Sequence, residues 1–217
     1  ELCAQMSAYV KTMDSSRAVT CGINLMLASM AAKGKGLYGK KEDGKENTNG
    51  SAGMDNVPTS TFYNILMNKM GGVIDHMAAT KGADKVADAI SSGLDVMGYN
   101  YATSRYKKEY KMHPERVIVG SETLPQSLYR NWELVKSTPN LIGDFMWTGW
   151  DYLGECGIGS IRYQKKATKE SVDPGLAILS GAGVIDICGF ERPETHWNKT
   201  IWGLEEKPVI GVEPVNH

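Results

Sequence analysis

The stretch Arg116-Val-Ile-Val-Gly-Ser-Glu-Thr123 decides the fold of this 217-residue chain. Three β-branched residues in succession predict a short buried strand, because a strand covered on both faces reads as a continuous apolar run. A glycine ends the run, and the carboxylate Glu122 follows almost at once. Parallel α/β folds place their functional side chains at the carboxyl ends of strands. Glu122 is therefore the first candidate functional residue.

Three similar runs occur elsewhere in the chain, and segments with helical spacing separate them. The alternation predicts an α/β fold with a parallel sheet. Four βα units after an entering helix are half of a (β/α)8 TIM barrel, so we expect that type of fold, with this chain as a half-barrel. The predicted strands are 18–23, 94–101, 117–121 and 141–147, and the predicted helices are 2–13, 25–32, 59–70, 83–91, 103–112, 125–137 and 193–202. We expect the helix at 103–112 to be a charged surface helix.

Composition excludes several classes of protein. A net charge of −1 carries no basic excess, so we expect no nucleic-acid partner. No apolar run approaches the roughly 20 residues that cross a bilayer, so we expect no membrane span. The four cysteines, Cys3, Cys21, Cys156 and Cys188, form no Cys-x-x-Cys pair and are predicted to be reduced, mostly buried thiols. Free thiols favour a cytoplasmic location, and a secreted or periplasmic location of the parent protein is the alternative.

Both ends of the chain are abrupt. Apolar residues at helical spacing begin with Leu2 and Met6, and 207–214 reads as a strand with no following partner. We expect 1–203 to be part of a larger domain with a flexible loop at 33–58, and 204–217 to begin a linker or strand toward a further domain. Because such a sheet has two open edges, we expect it to associate with a second copy or with the rest of the barrel.

Polar or aromatic residues follow every predicted strand. Because the carboxyl ends of parallel strands converge, these side chains should line one pocket, although each alone also reads as a cap or turn residue. The set is Asn24, Asn100, Tyr101, Glu122, Trp147 and Asp151. Glycoside hydrolysis uses two carboxyl groups, and an aromatic floor suits the C–H face of a sugar. Glu155 is a further carboxylate near this pocket. Its sequence position fits a contact with substrate and a salt bridge within the loop equally well.

The remaining motifs are weaker indications of function. Gly34-Lys-Gly-Leu-Tyr-Gly39 matches a dinucleotide pattern and overlaps a near match to a phosphate-binding loop. Neither match follows a β-rich strand or opens an apolar-striped helix, so the segment is interpreted as a flexible loop or lid. The four histidines lack ligand spacing. We expect no cofactor and no metal.

Five blocks of the sequence resemble glycoside hydrolase family 2, the β-galactosidase family, in the order in which that family has them. The blocks are 17–24, 95–101, 117–123, 143–155 and 183–193. The resemblance implies a retaining mechanism with Glu122 as nucleophile, Tyr101 as its hydrogen-bond donor and Trp147 as an aromatic wall. It also implies that Asn24, Asn100 and Asp151 are pocket residues.

One motif of that family is absent from the chain. The acid/base glutamate belongs to an Asn-Glu motif shortly before the helix with which this chain begins, and Glu46-Asn47 has the reverse order. The resemblance thus implies barrel strands five to eight of a hydrolase that acts on terminal β-galactosides or related oligosaccharides. Alone, the chain should be inactive or weakly active. The alternatives are a carbohydrate-binding fragment without catalysis, or a β-glucuronidase or β-mannosidase. No basic pair is placed for a uronate, which favours a galactoside.

Overall fold

The structure, a computed structural model, describes residues 2–33, 72–155, 157–159 and 178–212. Four strands form one parallel sheet in the order β1-β2-β3-β4. They are β1 (Thr20–Ile23), β2 (Val96–Asn100), β3 (Val117–Thr123) and β4 (Leu141–Met146). The predicted α/β class and the four parallel strands are confirmed, and closure into a barrel stays a prediction. Apart from Lys33, the loop at 33–58, the helix at 59–70 and the glycine pattern lie outside the described residues.

Helices accompany the strands near their predicted positions: α1 (Leu2–Met13), α2 (Leu25–Ala32), α3 (Lys81–Ser91), α4 (Tyr106–Met112), α5 (Leu128–Ser137) and α6 (Pro193–Ile201). Residues 72–77 are also helical. Their starts follow local chemistry. The Thr80 side chain accepts a hydrogen bond from the Ala83 amide at the start of α3, and Pro193 occupies the first turn of α6. The strand predicted from residue 207 is wrong over 207–212, which form neither helix nor strand. In the part of the chain described, no helix has the length and apolarity to cross a membrane.

The core lies between the sheet and the helices on one of its faces. Met97 and Tyr99, two residues apart on β2, are both buried there together with Ile118 of β3. Alternate residues of a strand point to opposite faces, so Gly98 and Asn100 point to the other face. We call this other side the open face. Ala83 and Ala87 are fully buried, and such small side chains let α3 approach the strands closely.

The prediction that 103–112 is a charged surface helix is wrong. Arg105 and Glu109 have side chains with no exposed surface, and their ion pair measures 2.6 Å between Nη2 and Oε2. The Arg105 guanidinium also lies 5.3 Å from the ring centre of Tyr99 and contacts Asp84 at 2.8 Å. Buried charges persist where they are paired and hydrogen-bonded. Arg105 and Glu109 thus join the helix to its neighbours, while Lys107 and Lys111 are exposed to solvent.

The ion pairs extend to the outer side of the helix layer. Arg116 bonds both Glu109 at 3.0 Å and Asp88 of α3 at 2.8 Å. Lys108 bonds Asp84 at 2.8 Å. Partial burial opposes ionisation of Asp84, but the hydrogen bonds from Lys108 and Arg105 outweigh it and lower the pKa of that carboxyl. The network therefore joins α3, α4 and the turn before β3 into one layer.

The cysteines contradict the prediction of mostly buried thiols. Among the described residues, Cys3 is half-buried, while Cys21 and Cys188 are exposed, and all three are free. Cys21 is exposed because it lies on β1, which no described strand flanks on its outer side. Partial burial and the neighbouring Cys3 thiol raise the pKa of Cys21. Cys156 lies outside the described residues.

Removing one charge from the buried pair should destabilise the fold. Glu109→Gln leaves the buried Arg105 with Asp84 as its remaining carboxylate partner, and we expect a loss of about 1–3 kcal/mol in the free energy of unfolding. Glu133→Gln is the matched control, because Glu133 pairs with Lys136 on the surface of α5. Its effect should stay within about 0.5 kcal/mol. Equal effects in urea unfolding would contradict the buried network.

An apolar stripe on α1 predicts self-association of the isolated chain. Leu2, Met6, Tyr9, Val10 and Met13 recur at helical spacing, and between 46% and 73% of each is exposed. In a sample of this chain alone, a second copy can cover that stripe. Light scattering should give a mass above 23.7 kDa at micromolar concentration, which Met6→Lys with Val10→Lys should lower. Ala8→Lys, at another exposed position of α1, should change nothing. A monomer at all concentrations would contradict the prediction.

Candidate active site

An extra residue in β3 shapes the carboxyl end of the sheet. Tyr99 of β2 pairs with Gly120, but the next residue, Asn100, pairs with Glu122. One step along β2 therefore corresponds to two steps along β3. The register between β3 and β4 shifts in the same segment, between Gly120 and Thr123. This is a β-bulge, in which an additional residue is accommodated without a partner.

The bulge brings two consecutive side chains to the same neighbour. The Ser121 hydroxyl donates to Asn100 Oδ1 at 2.7 Å, and Asn100 Nδ2 donates to Glu122 Oε2 at 3.0 Å. In a regular strand, residues 121 and 122 would point to opposite faces of the sheet. Here both meet Asn100, which points to the open face. Glu122 lies within β3, one residue beyond the predicted end of that strand.

The Glu122 carboxylate is held through both oxygens by uncharged groups. The Tyr101 hydroxyl donates to Oε1, while Asn100 donates to Oε2. Tyr101 follows β2 with φ at 54°, a conformation uncommon for residues other than glycine. Its amide donates to the Glu122 carbonyl at 2.8 Å, so Tyr101 contacts Glu122 through main chain and side chain. The structure thus brings together Glu122, Tyr101 and Asn100.

A second set of polar groups lies behind β3, on the helix side. Thr123 Oγ1 donates to Asp144 Oδ2 at 2.9 Å, and Asn131 Nδ2 of α5 contacts both Asp144 oxygens at 3.2 Å. Tyr106 donates to Oδ1 at 3.4 Å. Burial raises the pKa of the Asp144 carboxyl, and the hydrogen bonds from Thr123, Asn131 and Tyr106 oppose that rise.

Trp147 follows β4 and is 40% exposed. Its amide donates to the Thr123 carbonyl at 2.8 Å, which extends the ladder beyond the last residue of β4. Its indole meets the Tyr152 ring edge to face, with 5.8 Å between ring centres. The peptide between Trp147 and Thr148 is cis. The main-chain hydrogen bond ties this aromatic residue to the strand that carries Glu122.

Asp151 is not placed to contact a ligand. Its side chain has no exposed surface, and Oδ2 accepts from Arg192 Nη2 at 3.0 Å. Oδ1 accepts from the amides of Tyr152 at 3.1 Å and Gly181 at 3.0 Å. Both oxygens are occupied because this carboxylate joins the loop after β4 to the segment around residue 181. The predicted pocket role of Asp151 is therefore corrected to that of a buried loop anchor.

Two further predicted residues make local contacts. The Asn24 side chain accepts from the Leu27 amide at 3.1 Å and caps α2, which is the turn-residue interpretation considered for each strand end. Glu155 is exposed and accepts from the Tyr152 hydroxyl, whose ring contacts Trp147. Through Tyr152, Glu155 is linked to the aromatic group but not, by any described contact, to Glu122.

Sequence reasoning missed Asp144, Thr123 and Asn131. The available signal was an aspartate inside the apolar run Leu141-Ile-Gly-Asp-Phe-Met146, since a buried charge in a strand needs partners. Over the described ranges, no group of three or more His, Cys, Asp or Glu side chains could hold a metal ion. Half-buried and fixed by neutral donors, the Glu122 carboxylate is suited to act as an oriented nucleophile or base.

Comparisons with known proteins give two informative likenesses. A Formosa agariphila protein named "Putative beta-glucuronidase" is 32% identical over 93 residues, which are 42% of this chain and 8% of that protein. The solved structure of a glycosyl hydrolase family 2 member from Bacteroides cellulosilyticus aligns with 93% of this chain and 16% of its own, at a TM-score of 0.51 and 23% identity. At that identity the likeness supports the fold alone. No protein-family profile matches. The chain spans a small part of the length of either protein.

The packing of Asp144 against β3 makes a prediction for Gly120. A Cβ added at Gly120 would overlap the Asp144 carboxylate and the Tyr106 hydroxyl. We expect Gly120→Ala to lower the free energy of unfolding by about 1–3 kcal/mol, as overpacking does. Gly143→Ala on β4 is the control, because its nearest neighbour would be Val119 Cγ2 at 3.9 Å. It should be neutral or stabilising by up to about 1 kcal/mol. Denaturant unfolding with equal losses for both variants would contradict this packing.

Proposed function

We propose that the chain is part of a retaining β-glycosidase of glycoside hydrolase family 2, and that Glu122 is its nucleophile. The observation that carries the proposal is the Glu122 carboxylate, held by Tyr101 and Asn100 at the carboxyl end of a parallel sheet. The family blocks in the sequence, the partial match to the Formosa agariphila relative and the fold of the solved structure support it.

The mechanism follows from the chemistry of two displacements. A Glu122 oxygen attacks the anomeric carbon as the bond to the aglycone oxygen breaks, which forms a glycosyl ester. Water later attacks the same carbon, and the Glu122 carboxylate is released. Tyr101 and Asn100 keep the carboxylate in one orientation, so its attack needs little reorganisation. Trp147, partly exposed beside the same strand end, offers an aromatic surface to the sugar.

Protonation of the leaving oxygen needs a second carboxyl group. The family resemblance assigns that role to a glutamate in an Asn-Glu motif, which this sequence does not contain. General acid catalysis contributes about 10²–10⁴-fold, so substrates with poor leaving groups should react slowly with this chain. The second candidate function is a carbohydrate-binding fragment without turnover. A substrate whose leaving group needs no proton separates these two functions.

The sugar specificity has two supported candidates. The sequence resemblance favours a terminal β-galactoside, and the name of the Formosa agariphila relative favours a β-glucuronide. A uronate carboxylate would require basic groups near the pocket. The described residues show Arg192 paired with Asp151, and Arg130 near Asp75 at 3.6 Å. Neither contacts Glu122 or its partners, so we propose the galactoside first.

Covalent trapping tests the nucleophile. A 2-deoxy-2-fluoro-β-galactosyl fluoride has a leaving group that departs without an acid, so the chain should acquire one sugar on the peptide that contains Glu122. Intact-mass and peptide mass spectrometry measure it. Glu122→Gln should abolish the label, and Glu115→Gln, at the opposite end of β3, should retain it.

The same experiment with a 2-fluoro glucuronyl fluoride decides between the sugars. Faster labelling by the galactosyl reagent would support the galactoside, and faster labelling by the glucuronyl reagent would replace it. A label on another carboxylate, or no label from either reagent, would contradict the assignment of Glu122.

A further inference from the structure

We propose that Asp144 is a positioning residue whose buried carboxylate holds the β3 bulge from the helix side and thereby directs Glu122 to the open face. The proposal deepens the proposed function, because it names the group that sets the direction of the nucleophile. Asp144 does not touch the open face itself. It acts through Thr123 and through the backbone of β3.

The bulge changes which face each residue of β3 meets. In a regular strand, Gly120 and Glu122 would share one face, and Ser121 and Thr123 the other. The structure has a different pairing. Ser121 and Glu122 both contact Asn100 on the open face, whereas Gly120 and Thr123 both face Asp144. Without the bulge, the Glu122 side chain would therefore point into the helix layer.

Asp144 contacts β3 on both sides of the bulge. Its Oδ2 accepts the Thr123 hydroxyl at 2.9 Å, just after the bulge. Before it, the Asp144 carboxylate lies so close to Gly120 that any Cβ there would overlap it. Thr123 is 1% exposed, so water does not compete for its hydroxyl. The carboxylate therefore spans the segment in which the extra residue is accommodated.

The helix layer holds Asp144 in turn. Asn131, which is fully buried, donates to both Asp144 oxygens at 3.2 Å, and its own Oδ1 accepts the Thr103 hydroxyl at 2.8 Å. Tyr106 supplies a longer hydrogen bond at 3.4 Å. Thr123, Asn131 and Tyr106 all donate to Asp144, which matches an acceptor-only carboxylate. The chain Thr103–Asn131–Asp144–Thr123 thus runs from the turn before α4, through α5 and β4, to the residue after Glu122.

Relaxation of the bulge would be costly for the site. A shift of one residue in register transfers every side chain beyond it to the opposite face. Losing the Thr123 hydroxyl would remove its short hydrogen bond to Asp144 at 2.9 Å and a longer one to the Phe145 carbonyl at 3.3 Å, both of which favour residue 123 on the helix side. Glu122 would then lose its fixed distance to Asn100, and a misplacement of about 1 Å in a catalytic group can cost on the order of 100-fold in rate.

The test compares isosteric variants in the full 217-residue chain. Thr123→Val removes the hydroxyl, Thr123→Ser keeps it, and Asp144→Asn replaces one acceptor oxygen with a donor. Thr138→Val is the matched control, since Thr138 is also buried but its hydroxyl has no hydrogen-bond partner among the residues that the structure describes. Stability is measured first by urea unfolding, so that each variant is compared while folded.

The first readout does not depend on catalysis. NMR should show contacts between the Asn100 side-chain amide protons and Ser121 and Glu122 in the native chain, in Thr123→Ser and in Thr138→Val. Thr123→Val and Asp144→Asn should lose them. If both variants are folded and keep these contacts, the proposal is overturned. Should Asp144→Asn fail to fold, Thr123→Val alone decides.

The second readout is the rate of trapping by the 2-fluoro glycosyl fluoride. Thr123→Val should slow the covalent step on the order of 10–100-fold with the reagent's binding constant unchanged, as expected for a misdirected nucleophile. Thr123→Ser and Thr138→Val should stay near the native rate. An unchanged covalent step in Thr123→Val overturns the proposal. Absence of trapping in the native chain contradicts the proposed function instead, and the NMR contacts then decide on Asp144.

Discussion

A single extra residue in β3 is the constraint on which the candidate site depends. With regular alternation, Glu122 would lie on the same face as Gly120, where Asp144 and Tyr106 already occupy the space beside the strand. With the bulge, the side chains of Ser121 and Glu122 both point to the open face, where both hydrogen-bond to Asn100. Bulges are frequent beside active sites because they redirect one side chain without disturbing the rest of the sheet.

Polar side chains are held by different interactions on the two faces of the sheet. On the open face, neutral donors orient Glu122. On the helix face, charges are buried and paired, as between Arg105 and Glu109. Such pairs contribute little net stability, but breaking one is costly, so they favour one arrangement of the helices over others. A fixed helix layer is what allows Asp144 to hold the bulge at a defined position.

Much of the fold was predictable from the sequence because its signals are local. Short, mainly apolar runs marked the four strands, most clearly the β-branched run of β3, and helical spacing marked the helices, with Pro193 at the start of the last. Glu122 was identifiable because a carboxylate after a buried run is unusual, and Asn100 and Tyr101 follow the neighbouring strand. The register of β3 against its neighbouring strands could not be predicted from the sequence, because Gly-Ser-Glu-Thr continues a strand equally well with or without a bulge.

The wrong predictions share one physical cause. Asp151, the helix at 103–112 and Cys21 were interpreted from their own residue type and neighbours along the chain. Their surroundings are decided by partners distant in sequence, such as Arg192 for Asp151 and Tyr99 for Arg105. Asp144 escaped notice for the same reason, since its partners come from three other elements. Pairing across elements is a tertiary property that local pattern does not encode.

The role of Glu122 is decided by a crystal structure of the chain after reaction with a 2-deoxy-2-fluoro glycosyl fluoride. We expect electron density that joins the anomeric carbon to a Glu122 oxygen on the open face. We also expect β3 still bulged and Asp144 within about 3 Å of the Thr123 hydroxyl, a hydrogen-bond distance. A sugar bonded to another carboxylate, or a regular β3 with Glu122 turned toward the helices, would contradict that role.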